Sequence, residues 1–261
     1  MPEENAVLFT QDGHIARIVL NRPHVLNALS LELLDSLETM LQKVADNENI
    51  RAVIITGAGN KAFSAGADIS FLNTAEPLAI RKLAQKAVSI NSQIETLGKP
   101  VIAAINGYAL GGGLELAEAC TMRIAVNTSR FGHPEVKIGA VAGWGGTTRL
   151  PRLIGISRAA DLLLTGRMIE AEEALSIGLI NRITEPETLL PAVEKLINEI
   201  ICNGPLATTM TWEALFRGYN MSIEESTKLG ADFFGLIAAT SDFREGTSAF
   251  LDRRKPSFSG K

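Results

Sequence analysis

Two acids stand out by their settings. The stretch "GYALGGGLELAEACT" (Gly107 to Thr121) puts three consecutive glycines directly ahead of an amphipathic helical pattern, with Glu115 two residues past them. Glycine at a helix start costs backbone entropy. What it permits is close approach, because a ligand atom can then reach the free N–H groups of the first turn, where the dipole favours negative charge. The chemistry suggested is an oxyanion site with Glu115 beside it. A second acid, Glu135, follows twenty residues later in "FGHPEVKIGAVAGWGGTTRLPRLIG" (Phe131 to Gly155), with one strand between the two. A return of that length can bring two carboxyls face to face. Either acid alone reads as a solvated or helix-start residue. Two of them, each in a loop of small residues after a strand, read as a proton-handling pair. His133 reads as a structural hydrogen-bonder rather than a catalyst, and His14 and His24 carry less signal.

A third loop, "GAGNKAFSAGAD" (Gly57 to Asp68), invites two other readings, and its spacing refuses both. No G-x-x-x-x-G-K-[ST] occurs, and the G-x-G at Gly57 lacks its third glycine because Ala62 stands there. Ser64 in "AFSAG" approximates a nucleophile elbow, but Ala62 replaces the first glycine and His133 precedes the only nearby acid.

These loops need strands and helices to position them. Ile15 to Leu20, Ala52 to Thr56, Val101 to Ile105 and Met122 to Val126 read as strands. Ser30 can cap a helix that carries Leu33, Leu34, Leu37, Leu41 and Val44 on one face. A second helix spans about Pro77 to Leu97, with Ile80, Leu83, Ala87, Ile90 and Ile94 on one face. Short apolar strands alternating with helices predict an α/β fold with a mainly parallel sheet, and ligand loops at the strands' carboxyl ends. Beyond "ICNGP" (Ile201 to Pro205) strand signals stop, and helices ending in a basic tail are expected.

Composition narrows the function classes. With 25 Lys and Arg against 29 Asp and Glu, the net charge of −4 offers no field for nucleic acid or an anionic membrane. Small molecules, or copies of the chain itself, are the expected partners. Two cysteines, Cys120 and Cys202, are too few for a disulfide framework, and no Cys/His spacing suits a metal. The opening "MPEENAVLF" has acids where a secretory leader needs basic residues, and runs such as "AVIIT" and "VIAAI" are too short to span a bilayer. A cytoplasmic protein is expected.

The motifs "NRPHVLNAL", "AFSAGADI", "INGYALGGGLELA", "FGHPEVKIG" and "GWGGTTRLPRLIG", in this order and spacing, resemble the enoyl-CoA hydratase/isomerase (crotonase) superfamily. The likeness runs from about Phe9 to "AFLDRRKPSF". It implies a crotonase-like spiral of ββα units over 1–200 containing the CoA site, and a helical C-terminal oligomerisation region over 201–261. That region would build trimers, usually paired into hexamers. It implies a thioester oxygen held by the N–H groups of Ala67 and Gly112, with Glu135 as acid/base at the α-carbon and Glu115 orienting and activating water. CoA would meet backbone from Ala65 through Gly66 and Asp68 to Ile69, with Arg22 and His24 near the entrance. Phe250, Arg253 and Lys255 of a neighbouring subunit would approach its adenine and 3′-phosphate. Trp144, beside Gly143 and standing where a small residue is common, reads either as core or as bordering the acyl end of the site. Ser70 and His24 stand where many relatives carry lysine, and Ala142 where proline is common.

The reaction implied is reversible hydration of a trans-2-enoyl-CoA in fatty acid or related acyl-CoA metabolism such as β-oxidation. No metal or redox cofactor is implied, coenzyme A being part of the substrate. Two alternatives stay open at this point. One is double-bond isomerisation or another acyl-CoA reaction on the same fold. The other is a non-catalytic RNA-associating relative, which the acidic balance and the glutamate pair disfavour.

Overall fold

In the computed structural model, residues 5–261 are described. The acidic start Met1 to Glu4, part of the reading on secretion, lies outside them. The chain divides into two compact units, one ending at Val193 and one running from Glu194 to Lys261.

The first unit opens with β1 (Val7–Asp12) paired antiparallel to β2 (Ile15–Leu20), then α1 (Leu31–Ala45). Ser30 caps α1 by accepting from the Leu33 N–H at 3.2 Å, a bond typically worth about 1 kcal/mol. The Leu33, Leu34, Leu37, Leu41 and Val44 face is buried, each side chain contributing roughly 1.5–3 kcal/mol relative to exposure.

Three ββα turns follow. The first is β3 (Ala52–Gly57), β4 (Ala62–Ser64), α2 (Ile69–Thr74) and α3 (Pro77–Glu95). The second is β5 (Val101–Ile105), β6 (Tyr108–Leu110) and α4 (Gly112–Ala119). The third is β7 (Met122–Val126), β8 (Arg130–Gly132), a 3-10 turn (Pro134–Ile138), α5 (Gly146–Ile154) and α6 (Ile156–Thr165). Then come β9 (Met168–Glu170), α7 (Ala171–Ser176), β10 (Arg182–Thr184) and α8 (Leu189–Ile201), within which the two units divide.

In each turn the first strand joins a six-stranded sheet of order β1-β2-β3-β5-β7-β10, and the second joins a four-stranded sheet of order β4-β6-β8-β9. The chain therefore spirals, each turn stacking in parallel on the last. The uninterrupted apolar runs of β3 and β5 fit that position, since both are buried along their whole length.

The second unit holds α9 (Pro205–Gly218), α10 (Ile223–Ile237) and α11 (Ser241–Leu251). Ser222 and Glu225 form a reciprocal capping box at the start of α10. Asp242 gathers the tail, accepting from the N–H groups of Ser259 and Gly260 at 2.7 and 2.8 Å. Among the described residues, no helix is long and apolar enough to cross a membrane.

Candidate active site

The small sheet assembles the site. Parallel pairing of β4 with β6 and of β6 with β8 aligns their carboxyl ends, so the three loops that follow them emerge side by side. The Gly111 N–H donates to the Gly132 carbonyl at 2.9 Å, tying the second loop to the third. Gly66 packs so tightly against the second loop that a Cβ there would fall 2.8 Å from the Leu110 oxygen and 3.2 Å from the Gly112 nitrogen. Ala67 is thereby set beside the start of α4. Among the described residues, neither the Ala67 nor the Gly112 N–H donates to another protein group. Ser64 fixes this loop from within: its hydroxyl donates to the Asn27 carbonyl at 2.8 Å and accepts from the Gly66 N–H at 3.2 Å. A serine so engaged leaves no room for the nucleophile reading.

Glu115 lies in the first turn of α4. The sequence pattern reads as amphipathic, yet all eight residues of this helix are buried, because α4 is enclosed within the unit rather than lying on its surface. Glu115 is 2% exposed, and its Oε1 accepts from the N–H groups of Trp144 and Gly146, each at 2.7 Å. Burial drives its carboxyl up to about 7, opposed by the Gly146 N–H and by His133 and assisted by the charges of Glu118 and Glu135.

Glu135 enters from the turn after β8. Its Oε1 would stand 3.0 Å from a Cβ on Gly111, so this carboxyl lies against the same glycine turn that begins α4. His133 sits between Glu135 and a third acid, Glu118 of α4. Its Nε2 is 2.9 Å from Glu118 Oε1, and its Nδ1 is 3.6 Å from Glu135 Oε1. Burial works against the ring's charge, but Glu118 and then Glu135 outweigh it and hold the imidazole up to about 10. Both neighbouring acids thus favour the protonated ring. Glu118 is the member of this group that the sequence reading missed. Its signal was its spacing of three from Glu115, which puts both acids on one helix face.

Trp144 is 8% exposed and packs into the core, with its indole against Gly112. Its carbonyl accepts from Asn91 Nδ2 at 3.1 Å and Arg149 Nη1 at 3.2 Å, and Arg149 grips Glu95 through two bonds of 2.6 and 2.7 Å. Helix α3 therefore pins the loop whose amides hold Glu115. Gly143, next to Trp144, is exposed.

The remaining predicted residues divide. Ala65, Gly66, Ala67 and Asp68 are buried or half-buried and Ile69 is exposed. Arg22 pairs with Asp68 at 3.1 Å and donates to the Ala28 carbonyl at 2.8 Å, so it braces this loop. His24 is exposed in a short 3-10 turn. In the second unit, Phe250 is 83% exposed at the end of α11, Arg253 adopts φ +55°, and Lys255 is exposed.

A spiral of ββα turns whose second strands form a separate small sheet is the crotonase fold. Residues 10–261 match the family described as Enoyl-CoA hydratase/isomerase, and the chain belongs to that family. It is 42% identical over 261 residues to crotonyl-CoA hydratase of Syntrophomonas wolfei, all of both chains being covered. It is 39% identical over 253 residues to short-chain-enoyl-CoA hydratase of Clostridium acetobutylicum, with 97% of each covered. Among solved structures, enoyl-CoA hydratase from Bacillus anthracis superposes with a TM-score of 0.95 at 36% identity, covering 98% of this chain and 100% of that one.

Proposed function

We propose that this protein adds water reversibly to short trans-2-enoyl-CoA thioesters. The observation that carries the reading is the convergence of two acids and two free backbone N–H groups at the carboxyl ends of β4, β6 and β8. As water adds to the β-carbon, charge grows on the thioester oxygen. Preorganised donors at Ala67 and Gly112 stabilise that charge most in the transition state, one such donor being worth about 3 kcal/mol. Glu135 exchanges the proton at the α-carbon. Glu115, its Oε1 committed to two amides, keeps Oε2 for the water. A carboxyl held up to about 7 is poised to gain or lose a proton near neutral pH.

Short acyl groups are favoured because Trp144 fills the space over Gly112. The names of two full-length relatives, crotonyl-CoA hydratase and short-chain-enoyl-CoA hydratase, support that choice. CoA lies along Ala65 to Ile69, a loop braced by the Arg22–Asp68 pair, with Phe250, Arg253 and Lys255 supplied by a neighbouring subunit. The test is loss of the conjugated-thioester absorbance of crotonyl-CoA on adding pure protein. Turnover of a 3-enoyl-CoA alone would favour isomerisation instead.

A further inference from the structure

One further set of buried ionisable groups adjoins the two carboxyls. The side chains of Glu118 and His133 are both fully shielded from solvent (0% exposed) and meet at 2.9 Å. The other ring nitrogen, Nδ1, stands 3.6 Å from Glu135 Oε1, an ion-pair separation too long for a hydrogen bond. Glu118 Oε2, His133 Nδ1 and Glu135 Oε2 are buried and make no hydrogen bond among the described residues. A carboxylate on a helix buried on every side is costly even when paired, and apolar residues would fill the same space without that cost. Packing alone does not account for an acid and an imidazole here. Their line of contact, from α4 through the ring, ends on Glu135.

We propose that Glu118 and His133 are positioning residues for Glu135: Glu118 anchors the imidazolium through Nε2, and Nδ1–H faces the Glu135 carboxylate, fixing its direction and supplying the opposite charge. This rests on the reading of Glu135 as the acid/base at the α-carbon. The charged groups around the ring are Glu115 and Glu118 on α4 and Glu135 on the following turn. Arg149 of α5 and Arg123 of β7 act further out, both on Glu118 and the former also on Glu115. Among the described residues the ring is the cation set among these three carboxyls: Glu118 and Glu135 favour its charge, and it in turn acts on Glu115.

The test combines kinetics with a direct reading of the ring. In His133→Gln, kcat for crotonyl-CoA is expected to fall about tenfold with KM nearly unchanged, less than the loss of a positioned acid/base itself. The double variant Glu118→Gln/His133→Gln, with a neutral amide pair in place of the ions, should lose no more than His133→Gln alone, the two acting as a unit. Nitrogen NMR of histidine-labelled wild type reads the ring itself. The chain has three histidines, and His133 is assigned as the signal retained in both His14→Gln and His24→Gln. Both its nitrogens should be protonated at pH 8. A neutral His133 at that pH overturns the proposal whether or not the variants fold, as does a folded His133→Gln protein with the kcat of the wild type. Failure of the wild type to hydrate crotonyl-CoA would count against the functional reading instead, and the NMR result keeps the two apart.

Discussion

The Trp144 indole packs against Gly112 so closely that a Cβ on the glycine would fall 2.5 Å from both Cε3 and Cζ3 of the ring. The same residue's backbone N–H donates to Glu115 Oε1 at 2.7 Å. One residue therefore packs against the glycine whose amide is assigned to the thioester oxygen and bonds the acid assigned to the water, and the absence of a Cβ on that glycine admits the indole. Gly112→Ala keeps the N–H but displaces the ring. It is expected to destabilise the protein by about 1–3 kcal/mol, the usual cost of overpacking, and to lower kcat. The double variant Gly112→Ala/Trp144→Ala should regain part of kcat, since the clash is removed. Melting curves and crotonyl-CoA kinetics on both variants check this; a Gly112→Ala protein with wild-type Tm and kcat would show the contact to be slack.

Trp144→Ala separates the core role of the indole from its role beside the acyl chain. Loss of the buried ring should cost about 3–5 kcal/mol of stability. Each methylene newly accommodated regains about 0.8 kcal/mol of burial, so selectivity should move towards longer chains. The measurement is the ratio of kcat/KM for crotonyl-CoA to that for decenoyl-CoA. A ratio that stays constant while Tm drops would confine Trp144 to the core.

Two buried groups tie stability to pH in the same direction. Glu115 is raised from 4.5 to about 7, so the folded state holds its proton longer than the unfolded chain, and stability falls as pH rises through that window. His133 is raised from 6.5 to about 10, so its contribution is intact below about 6.5 and is lost as pH rises through about 10. Chemical denaturation from pH 7 to 10 should show a decline of up to about 1.4 kcal/mol per pH unit for the histidine proton, absent from His133→Gln. Parallel curves for the two proteins would remove His133 from the linkage.

The second unit leaves large apolar side chains uncovered, among them Leu215, Tyr219, Ile223, Phe234 and Leu236, and neither α9 nor α10 has a buried residue. Such faces call for partners, and copies of the chain are the proposed ones. Light scattering should give a trimer or hexamer. Removing the segment after Pro205 should give aggregates or inactive monomers, and a compact active monomer of that truncated chain would refute the assignment.

Much of the large sheet was legible because its strands are short, mostly apolar runs, VIAAI without a break and IARIVL and MRIAV with one arginine each: Ile15 to Leu20, Val101 to Ile105 and Met122 to Val126 match the structure residue for residue. The edge strand Val7–Asp12 was not read, since only Val7 of it is buried and "VLFTQD" shows little periodicity. The small sheet was illegible for a different reason. Three-residue strands such as Ala62–Ser64 and Arg130–Gly132 carry no period at all, and only their pairing across turns of the spiral defines them. Of the site, Glu115 and Glu135 were visible from their glycine-rich settings. Glu118 was within reach of the helical spacing from Glu115, but its pairing with His133, like the amides of Trp144 and Gly146 on Glu115, comes from tertiary return of the chain.

The central claim is that Glu115 and Glu135 both handle protons in one hydration step. The measurement is the initial rate of crotonyl-CoA hydration by the wild type, Glu115→Gln and Glu135→Gln, with acyl-CoA binding measured in parallel. Each substitution should lower kcat by at least about 10²-fold while binding changes little, the pattern for loss of a positioned acid/base. Near-normal turnover in either folded variant would remove that residue from the mechanism and contradict the two-carboxyl account.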